Sequence, residues 1–322
     1  MSSAFTYDSK AVRDGRRDYN RIFFAFAPYH AASHHPAPAG PPLPCLCSDD
    51  TAHGGCAGRV VAEVLPLPSP HFDMAVPLPV DAIQGWAADV KLEVGEILLA
   101  QAPWLKRVAA SLGLDHGVFR VAIERAELNG GTVAAAATMD GSVRPPAIAG
   151  DVKIEGVELY VPPFAAPIEI ASGRIDARLR LAAAGFAPAG LLAGLTGDIS
   201  ATVRDGVLQG IDLARMAPRL EAADLAAALS GGNTPVNVLE LQATIDRGSL
   251  MLRRAQASGP AGRIEVAGTV ELARRLLDVR MGLVPAVEDP PEIGLRITGP
   301  VDRAQRVPEL AAAVRWRTEH DR

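Results

Sequence analysis

The sequence predicts a mainly β fold: a long, curved antiparallel meander sheet that forms a groove or half-barrel, with a few short covering helices. Two observations predict this β-rich α+β class. Short segments that alternate apolar and polar residues recur through most of the chain, and turn residues separate them. The chain also contains 30 glycines and 26 prolines, which interrupt helices and favour frequent turns. Because a long twisted sheet curls, we expect its apolar face to line a groove.

The strongest alternation lies at the start of the stretch from Gly173 to Leu213. Successive side chains of a strand point to opposite faces, so this segment predicts a sheet with one apolar face and one charged face. The apolar positions are Ile175, Ala177, Leu179 and Leu181, and the charged positions are Arg174, Asp176, Arg178 and Arg180.

The rest of this stretch predicts two helices and a hairpin. Residues Ala189–Leu195 lie between a proline and a glycine, which indicates one or two helical turns. Arg204-Asp205-Gly206 predicts a tight hairpin, because Asp-Gly accepts the positive φ of such turns. Asp212 is the expected N-cap of a helix from about Leu213 to Leu229, which Ser230-Gly231-Gly232 would end.

Strand patterns also flank this stretch on both sides. Trp104–Leu112 is the exception, since its apolar residues recur at helical spacing; Trp104 would then pack the helix on the sheet or anchor it to a lipid surface. Asn129-Gly130-Gly131 predicts a turn, and a loss of phase at Gly156 predicts a bulge. The β pattern starts at Val76, and the expected strands are 90–99, 119–124, 133–139, 152–159, 239–245, 250–252, 264–272, 277–283 and 293–297, followed by a short helix over Pro308–Trp316.

The first 75 residues differ from the domain expected over 76–322. Dense proline blocks both helix interiors and sheet ladders, so we expect a low-complexity leader with little ordered structure. Three cysteines and four histidines fall here, but their spacing fits no common zinc site, and we expect no metal and no cofactor. They are Cys45, Cys47, Cys56, His30, His34, His35 and His53.

Charge and motif content exclude several classes of function. The net charge of −5 offers no basic footprint for nucleic acid. The sequence contains no run of about 18 apolar residues, so it predicts no membrane-spanning helix, and the apolar run Ile22–Ala27 is too short for a signal peptide. His71, His116 and His320 stand apart from any nucleophile motif, so we expect no enzyme.

One family resemblance emerges from the pattern of turns and strands. The segment Leu195–Leu213 resembles the C-terminal domain of the AsmA family, in which a Gly-strand-Asp-Gly element runs into Gly-Ile-Asp-Leu and then a helix. The downstream order matches as well, and the similarity covers about residues 80–316. Its markers are Thr234-Pro235, Ala255–Gly259, Gly268 with Val270, and Leu295-Arg296-Ile297-Thr298-Gly299-Pro300.

The resemblance implies a non-enzymatic role in outer-membrane biogenesis. Members are held in the bacterial inner membrane by an N-terminal helix, carry a long periplasmic β-groove and resemble bridge-like lipid-transfer proteins. This sequence departs from the family in its N-terminal part, so we expect a truncated member or one with a misassigned start.

Two functions remain open at this stage. The first is a groove that binds phospholipid or another acyl lipid; the same side chains could instead form a dry core under the helices. The second is an envelope scaffold that binds proteins through sheet edges. An apolar face larger than its covering helices would favour the lipid groove. The expected lining residues are Ile175, Leu179, Ile199, Val203, Leu241, Ile245, Ile264 and Val266.

Overall fold

The computed structural model describes residues 55–67, 74–99, 102–160, 166–216 and 222–320. These residues form one curved sheet of fourteen strands, whose spatial order is the same as their order in the chain. The sheet does not close into a barrel, and four short α-helices accompany it. The predicted fold class is therefore confirmed.

The strands vary in length from five to sixteen residues. They are β1 (Gly55–Leu67), β2 (Ala87–Leu99), β3 (Ala102–Asp115), β4 (Val118–Leu128), β5 (Gly131–Asp140), β6 (Ala147–Leu159), β7 (Glu169–Ala184), β8 (Thr196–Gln209), β9 (Asn233–Asp246), β10 (Ser249–Gly259), β11 (Gly262–Glu271), β12 (Leu276–Pro285), β13 (Ile293–Pro300) and β14 (Gln305–Glu309). The α-helices are α1 (Pro188–Ala193), α2 (Leu213–Met216), α3 (Ala222–Ser230) and α4 (Ala311–His320), and short 3-10 turns lie at Val80–Ile83 and Val301–Arg303.

The edge strand β1 departs from the expected pattern in two ways. It pairs with β2 in parallel, from Gly55 opposite Ala87 to Leu67 opposite Leu99, whereas the other neighbours pair antiparallel. It also lies in the segment where we expected little ordered structure, and that prediction was wrong for residues 55–67. The run from Gly55 to Leu65 contains no proline, so its N–H groups can join a ladder.

Direct pairing across strands gathers the apolar side chains on one face, here called the inner face. Opposed residues in neighbouring strands point to the same side of a sheet. One inner row runs from Ala135 through Val152, Leu179 and Ile199 to Ala243. The opposite, outer face carries the charged residues, so the alternation predicted from the sequence is confirmed.

The predicted helix over Trp104–Leu112 was wrong, because this segment lies within β3. A bulge explains the misleading spacing: the pairing with β4 shifts near residues 106–109, and Arg107 has a φ of 47°. The positive φ of Arg107 turns the strand locally, so the inner positions pass from Leu105 to Val108, which are both buried and are three residues apart. A bulged strand thus imitates helical periodicity.

The predicted hairpin at Arg204-Asp205-Gly206 was also wrong. β8 continues through this site to Gln209, and Asp205, with a φ of 51°, is where its register with β7 shifts, between the pairs Arg174–Arg204 and Ser172–Val207, while its register with β9 is unbroken. The left-handed conformation expected of Asp205 is present, but it forms a bulge instead of a turn. Pairing with both neighbours holds the strand through this irregularity.

The helix predicted from about Leu213 to Leu229 is described in two parts, α2 and α3, and residues 217–221 between them lie outside the described residues. The Asp212 carboxylate does accept the Arg215 N–H at 3.0 Å, as an N-cap should, and α3 ends at Ser230 as predicted. The predicted helix from Pro308 begins later, at Ala311, because residues 305–309 form β14.

Helices α2, α3 and α4 cover the inner face of the C-terminal strands. Their buried side chains join those of β8–β13 in one core. Its members with the lowest exposure include Ile211, Met216, Ala228, Leu283, Ile293, Leu295 and Ala313, each 0% exposed. This part of the inner face is therefore a closed core.

Thr234 ties the start of α2 to β9. Its buried hydroxyl accepts the Leu213 N–H at 3.0 Å and donates to the Ile211 carbonyl at 2.9 Å. Thr234→Val keeps the shape but leaves both backbone groups without this partner, so we expect the free energy of unfolding to fall by about 1–3 kcal/mol. Urea unfolding measures this. Thr269→Val on β11 is the control, and an equal loss there would contradict the assigned role.

Candidate functional site

Among the described residues, α2, α3 and α4 leave most of the inner face of strands β4–β8 uncovered. Their contacts are mainly with β9, β12, β13 and β14, and the core that they share reaches β7 and β8 only near Ile170 and Leu208. Val157 and Val203 on this face are buried, but most of its large apolar side chains are half-buried. The half-buried ones include Val121, Ile123, Val133, Ile148, Val152, Ile154, Ile175, Leu179, Leu181 and Ile199.

This uncovered region contains a cavity of about 320 Å³. Its size falls at the lower end of the range for small-molecule pockets, about 300–1,000 Å³. Of the seventeen residues that line the cavity, Asp151 alone is polar, and the others are Val, Ile, Leu, Ala or Gly. A ligand with an apolar body fits this lining, whereas a polar ligand would find almost no hydrogen-bonding partner.

Helix α1 roofs one end of this region. Leu191 and Leu192 on α1, with Leu195 just after it, line the cavity, yet α1 has no fully buried residue. Gly185 permits the close approach of α1, because a Cβ at this position would lie 2.7 Å from the Gly190 carbonyl carbon. The strand ends beside α1 are called the α1 end of the sheet, and they include Asp115, Asp140, Ala147, Ala184 and Thr196.

The uncovered face is long enough for an acyl chain. A strand rises about 3.3 Å per residue, so the inner positions of β7 from Ile175 to Ala183 span about 26 Å. One leaflet of a bilayer has a hydrocarbon thickness of about 15 Å, half of the roughly 30 Å core. Together, the cavity and the half-buried strip that continues from it can hold an extended acyl chain along β7. We call this region of β4–β8, with Leu191, Leu192 and Leu195, the groove.

Comparison with known proteins identifies the family. The model of the AsmA family matches residues 74–254, which is more than half of the chain. The chain belongs to the AsmA family. The match includes β2–β9, α1 and therefore the groove, although it ends before the C-terminal part of the resemblance at about residue 316. No curated protein and no solved structure matches the chain.

In this AsmA family member, the eight predicted lining residues lie in three environments. Four of them, Ile175, Leu179, Ile199 and Leu241, are half-buried on the inner face at or beside the groove. Val203 and Ile245 are buried on the inner faces of β8 and β9. Ile264 lies in the C-terminal core, and Val266 packs against it. Only Leu179 of the eight lines the cavity itself.

Sequence reasoning missed most of the cavity lining. Val121 and Ile123 were recognised as an alternating strand, and α1 was recognised as a helix, but neither was assigned to the groove. Nothing in a single strand's pattern says whether a helix covers it. The signal that could have been used is the absence of any helix long enough to cover β4–β8.

The described residues provide no other evident chemistry. They contain no group of three or more His, Cys, Asp or Glu side chains that could hold a metal ion. The cysteines and histidines considered for zinc lie outside the described residues, except Cys56 in β1. Within the described part of the chain, no helix has the length and apolar character needed to cross a membrane.

The outer face carries ion pairs between neighbouring strands. Arg174 contacts Glu158 at 3.1 Å, Arg296 contacts Asp278 at 3.0 Å, and Arg280 contacts both Glu292 and Glu309 at 2.9 Å. Such exposed pairs contribute only about 0–1 kcal/mol each. Their main consequence is that the outer face stays hydrated, which leaves the inner face as the apolar surface of the sheet.

A bulge keeps the inner face of the groove apolar. At Gly156 β6 contains one extra residue, so Ile154 opposes Ala177 and Val157 opposes Ile175. The displaced Gly156 N–H donates to the Asp176 carboxylate at 2.8 Å, and Arg204 donates to the same carboxylate. Asp176 thus replaces the ladder hydrogen bond that the bulge removes. The predicted bulge at Gly156 is confirmed.

This brace should make stability depend on pH. The Gly156 N–H, followed by Arg204, holds the pKa of Asp176 below its ordinary 3.8. A carboxyl whose pKa is lower in the folded state contributes stability above its unfolded pKa, and that contribution is lost as pH falls through the folded pKa. We expect Asp176→Asn to lower the free energy of unfolding near neutral pH and the difference from wild type to shrink below about pH 3.8.

Urea unfolding over this pH range measures the effect. Asp198→Asn is the control, because Asp198 lies on the outer face of β8 where the register with β7 is uninterrupted. A pH-independent loss in Asp176→Asn, or the same pH-dependent loss in both variants, would contradict the brace.

Proposed function

We propose that this AsmA family protein binds the acyl chains of phospholipid in the groove and conveys phospholipid toward the outer membrane during biogenesis of the bacterial envelope. Membership of the AsmA family points to envelope biogenesis, and the family is generally non-enzymatic. The lipid itself is the proposal. It requires no cofactor.

One observation carries this proposal: the apolar inner face is larger than the helices that cover it. The C-terminal strands have a closed core under α2, α3 and α4, whereas the groove leaves leucine, isoleucine and valine half-exposed. Each square ångström of apolar surface removed from water contributes about 25 cal/mol. An acyl chain in the groove would bury surface on both partners, and the Ala- and Leu-rich lining of the cavity includes one polar residue, Asp151.

The place in the cell is part of the same proposal. An AsmA family protein is associated with the envelope, and we infer a position at the periplasmic face of the inner membrane. A groove there would shield acyl chains from water between the two membranes.

A second function uses the edge of the sheet. β1 is the edge strand of an open sheet, and the side chain of Val64 in β1 is 46% exposed. An edge strand can add a strand from a partner, so a scaffold that binds envelope proteins is the alternative. This alternative needs no lipid in the groove.

Leu179→Asp tests the lipid proposal. The substitution places a carboxylate in the groove, where it would meet the acyl chain without polar partners. Both chains are purified without detergent, and native mass spectrometry measures the phospholipid that copurifies with each. We expect the variant to carry about tenfold less phospholipid than wild type, or less still, since each tenfold corresponds to about 1.4 kcal/mol.

Ser200→Asp is the matched control, because Ser200 is exposed on the outer face of the neighbouring strand. It should retain lipid at the wild-type stoichiometry, and both variants should keep the wild-type circular dichroism spectrum. A stable wild-type chain that neither copurifies with lipid nor takes it up from micelles would overturn the proposal and favour the scaffold.

A further inference from the structure

Two uncharged segments lie side by side at the α1 end of the sheet. Residues 74–80 and residues 185–195 contain no Asp, Glu, Lys, Arg or His. Two backbone hydrogen bonds join them, from the Leu78 N–H to the Phe186 carbonyl at 2.7 Å and from the Ala189 N–H to the Met74 carbonyl at 3.0 Å. These segments form one surface, here called the terminal patch.

The terminal patch presents large apolar side chains to solvent. Phe186 is 56% exposed, Val76 46% and Met74 42%. We include in the terminal patch two further residues at this end of the sheet: Trp86, which precedes β2 and is 61% exposed, and Val143, which lies in the loop between β5 and β6 and is 42% exposed. Isolated apolar residues on a surface are ordinary, but a cluster of them at one end of a sheet marks an interaction site.

The terminal patch is continuous with the mouth of the groove. Phe186 lies two residues after the end of β7, whose inner positions Leu181 and Ala183 line the cavity. Leu191 and Leu192, which roof the cavity, belong to the patch segment itself. An apolar chain that leaves the groove at this end would therefore emerge directly at the terminal patch.

The charges around the terminal patch select among partners. The loops at this end carry Asp81, Asp115, Asp140 and Asp246, whereas Arg144 pairs with Asp81 at 2.9 Å and Arg247 pairs with Asp246 at 3.6 Å. An acidic margin repels anionic surfaces and polyanions. Tryptophan and phenylalanine, by contrast, enter the interface of a bilayer with the ring in the apolar region. The chemistry therefore fits a lipid surface of low net charge.

We propose that the terminal patch docks the protein on a zwitterionic lipid surface and opens the groove to it. The route of the lipid from that surface into the groove rests on the proposed function; the docking itself does not. Insertion of Phe186 and Trp86 would place the mouth of the groove at the level of the acyl chains. Helix α1, which has no fully buried residue, would lie at this contact.

Flotation with vesicles of phosphatidylcholine and phosphatidylethanolamine tests the docking in the full chain. We expect the double variant Trp86→Ser/Phe186→Ser to bind these vesicles about tenfold or more weakly than wild type, because each ring loses its apolar burial. Binding of wild type should persist as the ionic strength rises from about 0.1 M to about 1 M, and anionic phosphatidylglycerol should not strengthen it.

The matched control is Trp104→Ser/Tyr160→Ser, which removes two exposed aromatic side chains at the opposite end of the sheet. Trp104 is 46% exposed and Tyr160 67%. This variant should float like wild type, and both double variants should keep the wild-type melting temperature. Equal weakening by both pairs, or wild-type flotation of the Trp86/Phe186 variant, would overturn the docking proposal.

Uptake of lipid from detergent micelles separates this inference from the proposed function. The Trp86/Phe186 variant should take up micellar phospholipid normally, whereas Leu179→Asp should float with vesicles but retain no lipid. If wild type fails to float and sediments as a dimer that the Trp86/Phe186 substitutions dissociate, the terminal patch contacts a second copy and the membrane proposal is wrong. Flotation without lipid uptake would uphold the docking and overturn the groove.

Discussion

The structure depends on a single constraint: apolar side chains from fourteen successive strands must stay on one face of the sheet. The inner residues of these strands do not alternate in one phase from end to end. Irregularities in β3, β6 and β8 keep them on the inner face, and each contains a residue with positive φ, namely Arg107, Gly156 or Asp205. At Gly156 the outer face takes part as well, since Asp176 binds the displaced N–H. The inner face is therefore maintained by interactions made on the other side of the sheet.

The two halves of the inner face differ in what covers them. In the C-terminal half, α2, α3 and α4 complete a dry core. Arg306 holds that assembly together, because its guanidinium donates to the carbonyls of Gly210 at 2.7 Å and Leu229 at 3.0 Å, and to that of Pro167. Burial lowers the pKa of Arg306. Over the groove, α1 is the helix of the described residues that lies near the apolar face, and it leaves the groove half-exposed. A stable core thus adjoins a surface that remains available to a ligand.

The groove and the terminal patch use the same physical property in two ways. Both present apolar side chains in place of charged ones, but the groove is a long strip within the sheet and the terminal patch is an exposed surface at its end. A lipid-binding strip needs a place where the acyl chain passes between membrane and protein without crossing water. In this AsmA family protein, α1 and residues 185–195 link the two features. Their proximity follows from topology, because β7 ends where the roof of the groove begins.

The sequence by itself determined the meander, the two faces and most strands, because alternation and turn residues act over a few neighbouring positions. It also determined the Asp212 cap and the bulge at Gly156. Only the tertiary structure decided that Trp104–Leu112 is a strand and that Asp205 is a bulge, since pairing with neighbouring strands outweighs local spacing. Likewise, Ile264 and Leu179 have the same pattern in the sequence, yet helices bury one and leave the other in the groove. Coverage is a contact between segments far apart in the chain, and no local pattern encodes it.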